Sequence, residues 1–459
     1  MPIPRPHTIR CRRGSVYLLS LILLAVFLSL AIAFMAMSDL SLAKGSNYDR
    51  ATSARMTAES GLSYMLAVLG QLRLPGTTCA DDFADNLCQA LAARMDFTAN
   101  LAGEQITVSG SDVCVPDIAT DEGSFDCRIR WVGPNRAYME VRGLSRGASR
   151  RIAMELDLLV RQPLVFDYGL ASRGQVSISG NSSIVGVNYP EEANVISTTT
   201  SQPDAILIEG NTTVSGGLMT SGEDALIIIE GTPSIAGSTD PNVYADSIHM
   251  GVETPDFPEL DLGPLQALAT NVVNSETDIE NDSVFSNIRI APNTNPVFTS
   301  KVVINGVIFI EAPNIVKFDG GADVNGFIVT EATNEALSDC QIFFGGHVEA
   351  KSVAVLPDTP EFADVKEQTG TFVVAPGFGV TFAGSFSAIN GTIAADQLIF
   401  TGTAEGVVQG SVIGLADVPT IIGGNVDIYV DRLNANPDPA GFVESFAFSP
   451  VPDTYAELD

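Results

Sequence analysis

From Gly14 to Ser38 the chain runs for 25 residues, GSVYLLSLILLAVFLSLAIAFMAMS, without an acidic or basic side chain. A helix of that length reaches about 37 Å at 1.5 Å per residue, more than the roughly 30 Å hydrocarbon layer of a bilayer. Arg5, Arg10, Arg12 and Arg13 precede it with no acid among them, so the positive-inside rule predicts residues 1–13 in the cytoplasm and the body exported across the inner membrane. A cleaved secretory signal is the competing reading, because Ala31-Ile32-Ala33 offers a small-x-small site. Against it, the apolar run continues through Phe34, Met35 and Met37. A plain signal anchor is the third reading.

Helical periodicity continues beyond the span. Between Asp39 and Pro75, Ala51, Ala54, Ala58, Leu62, Met65, Leu66 and Leu69 recur at steps of three and four, which places them on one helical face. The membrane helix is therefore expected to continue outside the membrane as an amphipathic one, with Gly45 its weakest point and Pro75-Gly76 its stop.

Arg12-Arg13-Gly14, the long apolar helix and the TAESGL stretch from Thr57 to Leu62 resemble the N-terminal region of PilX-type minor pilins and GspK-type pseudopilins. The resemblance implies a type IV pilin-like subunit, cut by a prepilin peptidase after Gly14 to leave Ser15 as the new N-terminus. Its helix would then pack among the helices of other pilin-like subunits in a pilus or a type II secretion pseudopilus. Major pilins of this class carry a glutamate five residues after the cut, where Leu19 stands here. A carboxylate in an apolar bundle is costly unless paired, so Leu19 suits a tip or initiating subunit.

The remainder divides by charge and texture. Residues 1–161 hold 17 Lys+Arg against 16 Asp+Glu, and residues 162–459 hold 7 against 39. The resulting charges of +1 and −32 disfavour nucleic acid and anionic lipid as partners of the second part. Within 77–161 an acidic helical stretch precedes strand-like runs at Gln105–Ser109, Cys127–Val132, Ala137–Gly143 and Arg150–Val160, predicting a small antiparallel sheet. The run EVRGLSRGASRRIAMELDL resembles the last hairpin of PilX-type domains. Beyond Leu164, short Val/Ile/Phe-rich runs end in Gly-Asn, Asn-Gly or Gly-Gly, and turns recur near 20 residues: Gly210 to Gly231, Asn305 to Asn325, Gly391 to Gly410. Strands at that period with no helix between them predict stacked coils, a parallel β-helix, with a β-sandwich as the alternative.

The expected fold is thus mainly β with a long N-terminal helix. Its parts are a leader 1–14, a span 15–38, a pilin-like module 39–161 and an acidic β-helix 162–454, broken by an insertion at 255–296 that holds a short helix from Pro264 to Val273. Cys79 with Cys88, and Cys114 with Cys127, are candidates for two local disulfides in an exported body; Cys340 reads as a core residue. Asp256, Glu259 and Asp261 are weak calcium candidates, the one cofactor weighed. No G-x-S-x-G elbow, P-loop or EF-hand occurs, and His249 and His347 lack ligand spacing. The role expected is structural: a filament or secretion subunit displaying the β-helix for contact with surface glycans or protein. The alternative is a membrane-anchored β-helix that binds or cleaves polysaccharide.

Overall fold

The computed structural model describes residues 13–76, 78–95, 98–161, 163–222, 224–279, 284–436 and 438–458, with side chains from Tyr17 onward. They form two compact units: 13–74, 78–159 and 447–458 in the first, and 75–76 with 160–446 in the second.

The first unit is built on one continuous helix, α1 (Arg13–Gly70), about 87 Å long at 1.5 Å per residue. Gly45 does not interrupt it. The helix stops five residues before Pro75. Beyond it, strands Asp112–Thr120, Gly123–Gly133, Arg136–Ser145 and Ala148–Arg161 form an antiparallel meander, with Thr107–Ser109 at its edge. Their alternating patterns give one buried face, which meets the second half of α1 and the shorter helix α2 (Phe83–Met95). The expected strands are present with adjusted ends, and Asp112–Thr120 is a strand in addition to them.

One boundary is corrected. Ser445–Leu458, expected to lie within or trail the β-helix, returns to the first sheet beside Ala148–Arg161. The cause is local: Phe446 and Phe448 are buried while Ser449 and Pro450 are not, and the Phe448 ring packs edge-on against Phe83 at 6.4 Å. The strand's neighbour on its other side, Arg73–Pro75, is only three residues long, and prolines are tolerated along an edge.

The second unit is a parallel β-helix, each strand pairing in parallel with the strand one coil away. The turn spacings read from the sequence appear as register: Gly210 faces Gly231 and Asn305 faces Asn325. Gly180, Gly210, Gly231 and Gly424 sit at φ +81°, +85°, +95° and +103°, and a Cβ on Gly210 would lie 2.5 Å from the Gly180 carbonyl oxygen. Only glycine serves there. Beside them Asn181, Asn211, Asn425 and Thr232 form a side-chain ladder from coil to coil. Inside, Phe298, Phe318, Phe344, Phe382 and Phe400 stack at 4.9–5.1 Å with nearly parallel rings.

The coils are not stacked in chain order. The first, beginning at Leu170–Ser172, pairs with Val195–Ser197 on one side and with Val412–Gly414, near the chain's end, on the other. From that point the chain builds outward through Leu218–Thr220 to Ile248–Met250 at one end of the stack. Coil formation resumes at Asn271–Val273 at the opposite end, then returns through Ile288–Ile290, Ile308–Ile310, Ile328–Thr330, Val373–Ala375 and Ile393–Ala395 to meet the first coil. Between the strands at 248–250 and 271–273 lie ten steps of that row, about 48 Å at 4.8 Å each. The twenty residues 251–270 reach about 66 Å when extended, so they suffice as a strap.

This corrects the expected insertion. Among the described residues of the expected insertion, 255–270, with 251–254 before them, leave the coils, while 271–273 and 284–290 are strands of the far end. The expected helix shortens to Gly263–Ala267. The strap is stitched down by Val252 N–H to the Thr220 carbonyl (2.9 Å) and by an antiparallel bridge of Leu260 with Phe442. The Arg173 guanidinium lies 4.8 Å from the Phe257 ring centre. Leu265 and Ala269 cover Val307, Phe309, Phe327 and Val329. Strands buried on both faces read as continuous apolar runs, as VIFI and FIVT do here.

Where first and last coils meet, a buried carboxylate holds the joint. Glu192 accepts hydrogen bonds from Asn188 N–H (2.7 Å) and Nδ2 (3.0 Å) and from the Arg432 and Leu433 N–H groups (both 3.0 Å). Burial raises its pKa, and the four donors outweigh burial, holding the carboxyl below its ordinary value.

Candidate assembly helix

The residues on α1 divide it in two. From Tyr17 to Tyr48 every described side chain is exposed, including Leu19 at 64% and Phe27 at 64%. More than a dozen Leu, Ile, Val, Phe and Met side chains lie in that stretch; at about 1.5–3 kcal/mol each for burial, they cannot all remain in water. The stretch is the one described helix long and apolar enough to cross a membrane. In its uncharged part, before Asp39 and Lys44, the Ser20 and Ser29 hydroxyls donate to the carbonyls of Tyr17 (2.9 Å) and Val26 (2.8 Å) within the helix, which suits hydrocarbon.

From Ala51 onward the predicted face packs on the sheet. Ala54, Ala58, Leu62, Met65 and Leu69 are buried; Ala51 and Leu66 are half-buried flanks. The TAESGL stretch lies at the closest approach. A Cβ on Gly61 would fall 2.5 Å from the Phe125 ring and 2.9 Å from Val141 Cγ1; one on Gly143 would fall 2.3 Å from the Ala54 carbonyl oxygen and 2.5 Å from the Ala58 nitrogen. Helix backbone rests directly on strand backbone there. Thr57, also buried, donates its hydroxyl to the Ser53 carbonyl (2.9 Å). Sequence reasoning missed Thr57, Gly61 and Gly143, although small residues one turn apart at 54, 57, 58 and 61 were the available signal. Around the rim Arg55 pairs with Glu59 (3.0 Å) and Glu457 (2.8 Å), and Arg146 with Asp49 (3.1 Å). Such exposed pairs contribute little, about 0–1 kcal/mol each.

The other predicted positions fare differently. Arg12 lies outside the described residues; Arg13, Gly14 and Ser15 have helical backbone. Neither expected disulfide forms. Cys114 lies opposite Arg128 and Cys127 opposite Val115, so a one-residue offset turns the two sulfurs to opposite sheet faces. Burial pushes the Cys127 thiol well above its ordinary range. Cys79 Sγ donates to Asp82 (3.2 Å), and Cys88, on α2, to the Ile106 carbonyl (3.8 Å). Cys340 is fully buried.

The calcium candidates do not converge. Asp256 accepts from the Leu164 N–H (3.1 Å), while Glu259 and Asp261 flank the strap's bridge through their backbones. Among the described residues no three His, Cys, Asp or Glu side chains gather in a geometry that holds a metal. His347 shares a 3.0 Å hydrogen bond between its Nδ1 and Ser385 Oγ, with both residues exposed.

No family model matches the chain, and no curated protein matches it. Among solved structures, the competence-associated pilin ComZ from Thermus thermophilus is similar at 13% identity, over 89% of this chain and 97% of that one, with a TM-score of 0.26. A likeness at that score carries no argument about this chain.

Proposed function

We propose that this chain is a minor-pilin-like or pseudopilin-like subunit of a type IV pilus or type II secretion apparatus. It enters the inner membrane by the apolar half of α1 and carries the acidic β-helix on the extracytoplasmic side for contact with a surface or a protein. The observation that supports this reading is the division of α1 into an exposed apolar half and a half buried on an antiparallel sheet. A helix fixed at one end to a folded body, with the other end free and apolar, can exchange lipid for the helices of neighbouring subunits without refolding. In this reading a prepilin peptidase cuts after Gly14, Ser15 becomes the N-terminus, and Leu19 marks a subunit that does not dock beneath another. The role is structural, not catalytic.

Gly14→Leu tests it. In cells that hold the assembly system, the variant is expected to keep residues 1–14, to run correspondingly heavier and to remain in the membrane fraction. Equal mass and equal filament incorporation for wild type and variant would refute the reading.

A further inference from the structure

Among the described residues, the end of the β-helix built first leaves a strand edge without a backbone partner. Leu226–Gly231, Leu-Ile-Ile-Ile-Glu-Gly, pairs in parallel with Asp204–Gly210 on one side only among the described residues. Leu226 and Thr232 donate their N–H groups inward, to the carbonyls of Pro203 (2.7 Å) and Gly210 (3.0 Å). The alternation of a ladder then turns the N–H and C=O groups of Ile227, Ile229 and Gly231 outward. Leu226 is 50% exposed, and Ile227 and Ile229 close the core without being fully buried. Proteins blunt such edges with Lys, Pro, a bulge or a covering segment. The hexapeptide has neither Lys nor Pro, and its register with Asp204–Gly210 is unbroken from Ile206 to Gly210. The neighbouring short strand, by contrast, is closed by its own bridge of Ile235 with Ser238.

Charge decides what fits. Asp204, Glu209, Asp224 and Glu230 lie on or beside this edge, and residues 162–446 carry 7 Lys+Arg against 36 Asp+Glu. A second copy would bring the same charge against it, and like charges at that density oppose association. We infer that Leu226–Gly231 is a strand-addition site for an extended, Lys- or Arg-bearing segment of a partner protein. That segment would take the outward N–H and C=O groups and place its cations by Glu209 and Glu230. The site names a contact through which the exported β-helix of the proposed function acts. It does not depend on cleavage at Gly14, so the two readings fail separately.

The test uses the full chain in detergent micelles with two synthetic peptides of equal charge, KVKVKVKV and KPKPKPKP; the second has no N–H at alternate positions and cannot extend a sheet. KVKVKVKV is expected to bind and to slow hydrogen exchange at the amides of Ile227, Ile229 and Gly231. Ile229→Pro removes one outward donor together with a core contact and is expected to weaken binding at least tenfold, whereas Ile229→Ala, which loses the same contact but keeps the N–H, is expected to bind like wild type. Glu230→Lys, on an exposed side chain, is expected to weaken it several-fold. Equal binding of the two peptides would mean attraction by charge alone and would overturn the proposal. So would an unaffected Ile229→Pro variant, or a wild-type dimer that this substitution dissolves, which would make a second copy the occupant.

Discussion

The contact between α1 and its sheet makes a prediction of sign as well as size. Gly143→Ala adds one methyl group where Ala54 O would be 2.3 Å away, Ala58 N 2.5 Å and Ala58 Cα 3.0 Å. All three are backbone atoms of a helix held along its length by Leu62, Met65 and Leu69, so no side chain can rotate aside. Ordinary contact begins near 3.4 Å, and α1 must lift by about 1 Å. A gap of that size forfeits a quarter to a half of the dispersion attraction across the contact, and overpacking itself costs about 1–3 kcal/mol, giving a loss of about 2–4 kcal/mol. For a unit of this size the melting temperature is expected to fall by roughly 5–15 °C. Gly45→Ala is the control: nothing lies within 4 Å of its Cβ position, and in an exposed helix the change is expected to stabilise by about 0.5–1 kcal/mol. Calorimetry of the full chain in detergent, which resolves the unfolding of the two units, reads both. If Gly143→Ala left the first unit's transition unmoved, or if both substitutions shifted it in the same direction, the close helix–sheet contact would be wrong.

Two further predictions concern the β-helix. Phe344→Ala interrupts the ring stack between Phe318 (5.1 Å) and Phe382 (4.9 Å) and should lower that unit's stability by about 3–5 kcal/mol in denaturant unfolding, leaving the first unit unchanged. Glu192→Gln removes the charge that the four donors stabilise and should cost about 1.5–3 kcal/mol at pH 7. Because the folded carboxyl's pKa is lowered, that stabilisation is complete above the unfolded value near 4.3 and is lost as pH falls through the folded value. The gap between wild type and variant should therefore be constant from pH 7 to about 5 and narrow steadily as pH falls below about 4; a gap of the same size at pH 3 as at pH 7 would refute the charged clasp.

Much of this architecture is legible in the residues because periodicity reports burial. Ala51 to Leu69 declare a helical face, and Gly210 with Gly231, or Asn305 with Asn325, declare one turn of a coil. What periodicity does not carry is address. VSISGN and ILIEGN have the same texture whether their coils stand at an end or in the middle of the stack, so nothing local reveals that Leu170 pairs with Val412. The same limit hides the far end: Asn271–Val273 and Val284–Ile290 come after a polar, proline-rich strap and read as part of it. The strand Ser445–Leu458 is masked by its two prolines. The Cys114–Cys127 disulfide fails on a parity that depends on strand register, which spacing alone does not supply. At α1 the buried face is visible, but the glycines that permit the contact are not, because Gly61 draws its meaning from Phe125 and Val141, and Gly143 from Ala54 and Ala58.

The central claim, that α1 is an assembly helix freed from its leader, is tested most directly by the N-terminus of the mature protein taken from its native cells. The account predicts a chain beginning at Ser15. A chain beginning at Phe34 would make the apolar run a discarded signal, and one beginning at Met1 would make it a permanent anchor; either result would contradict the account.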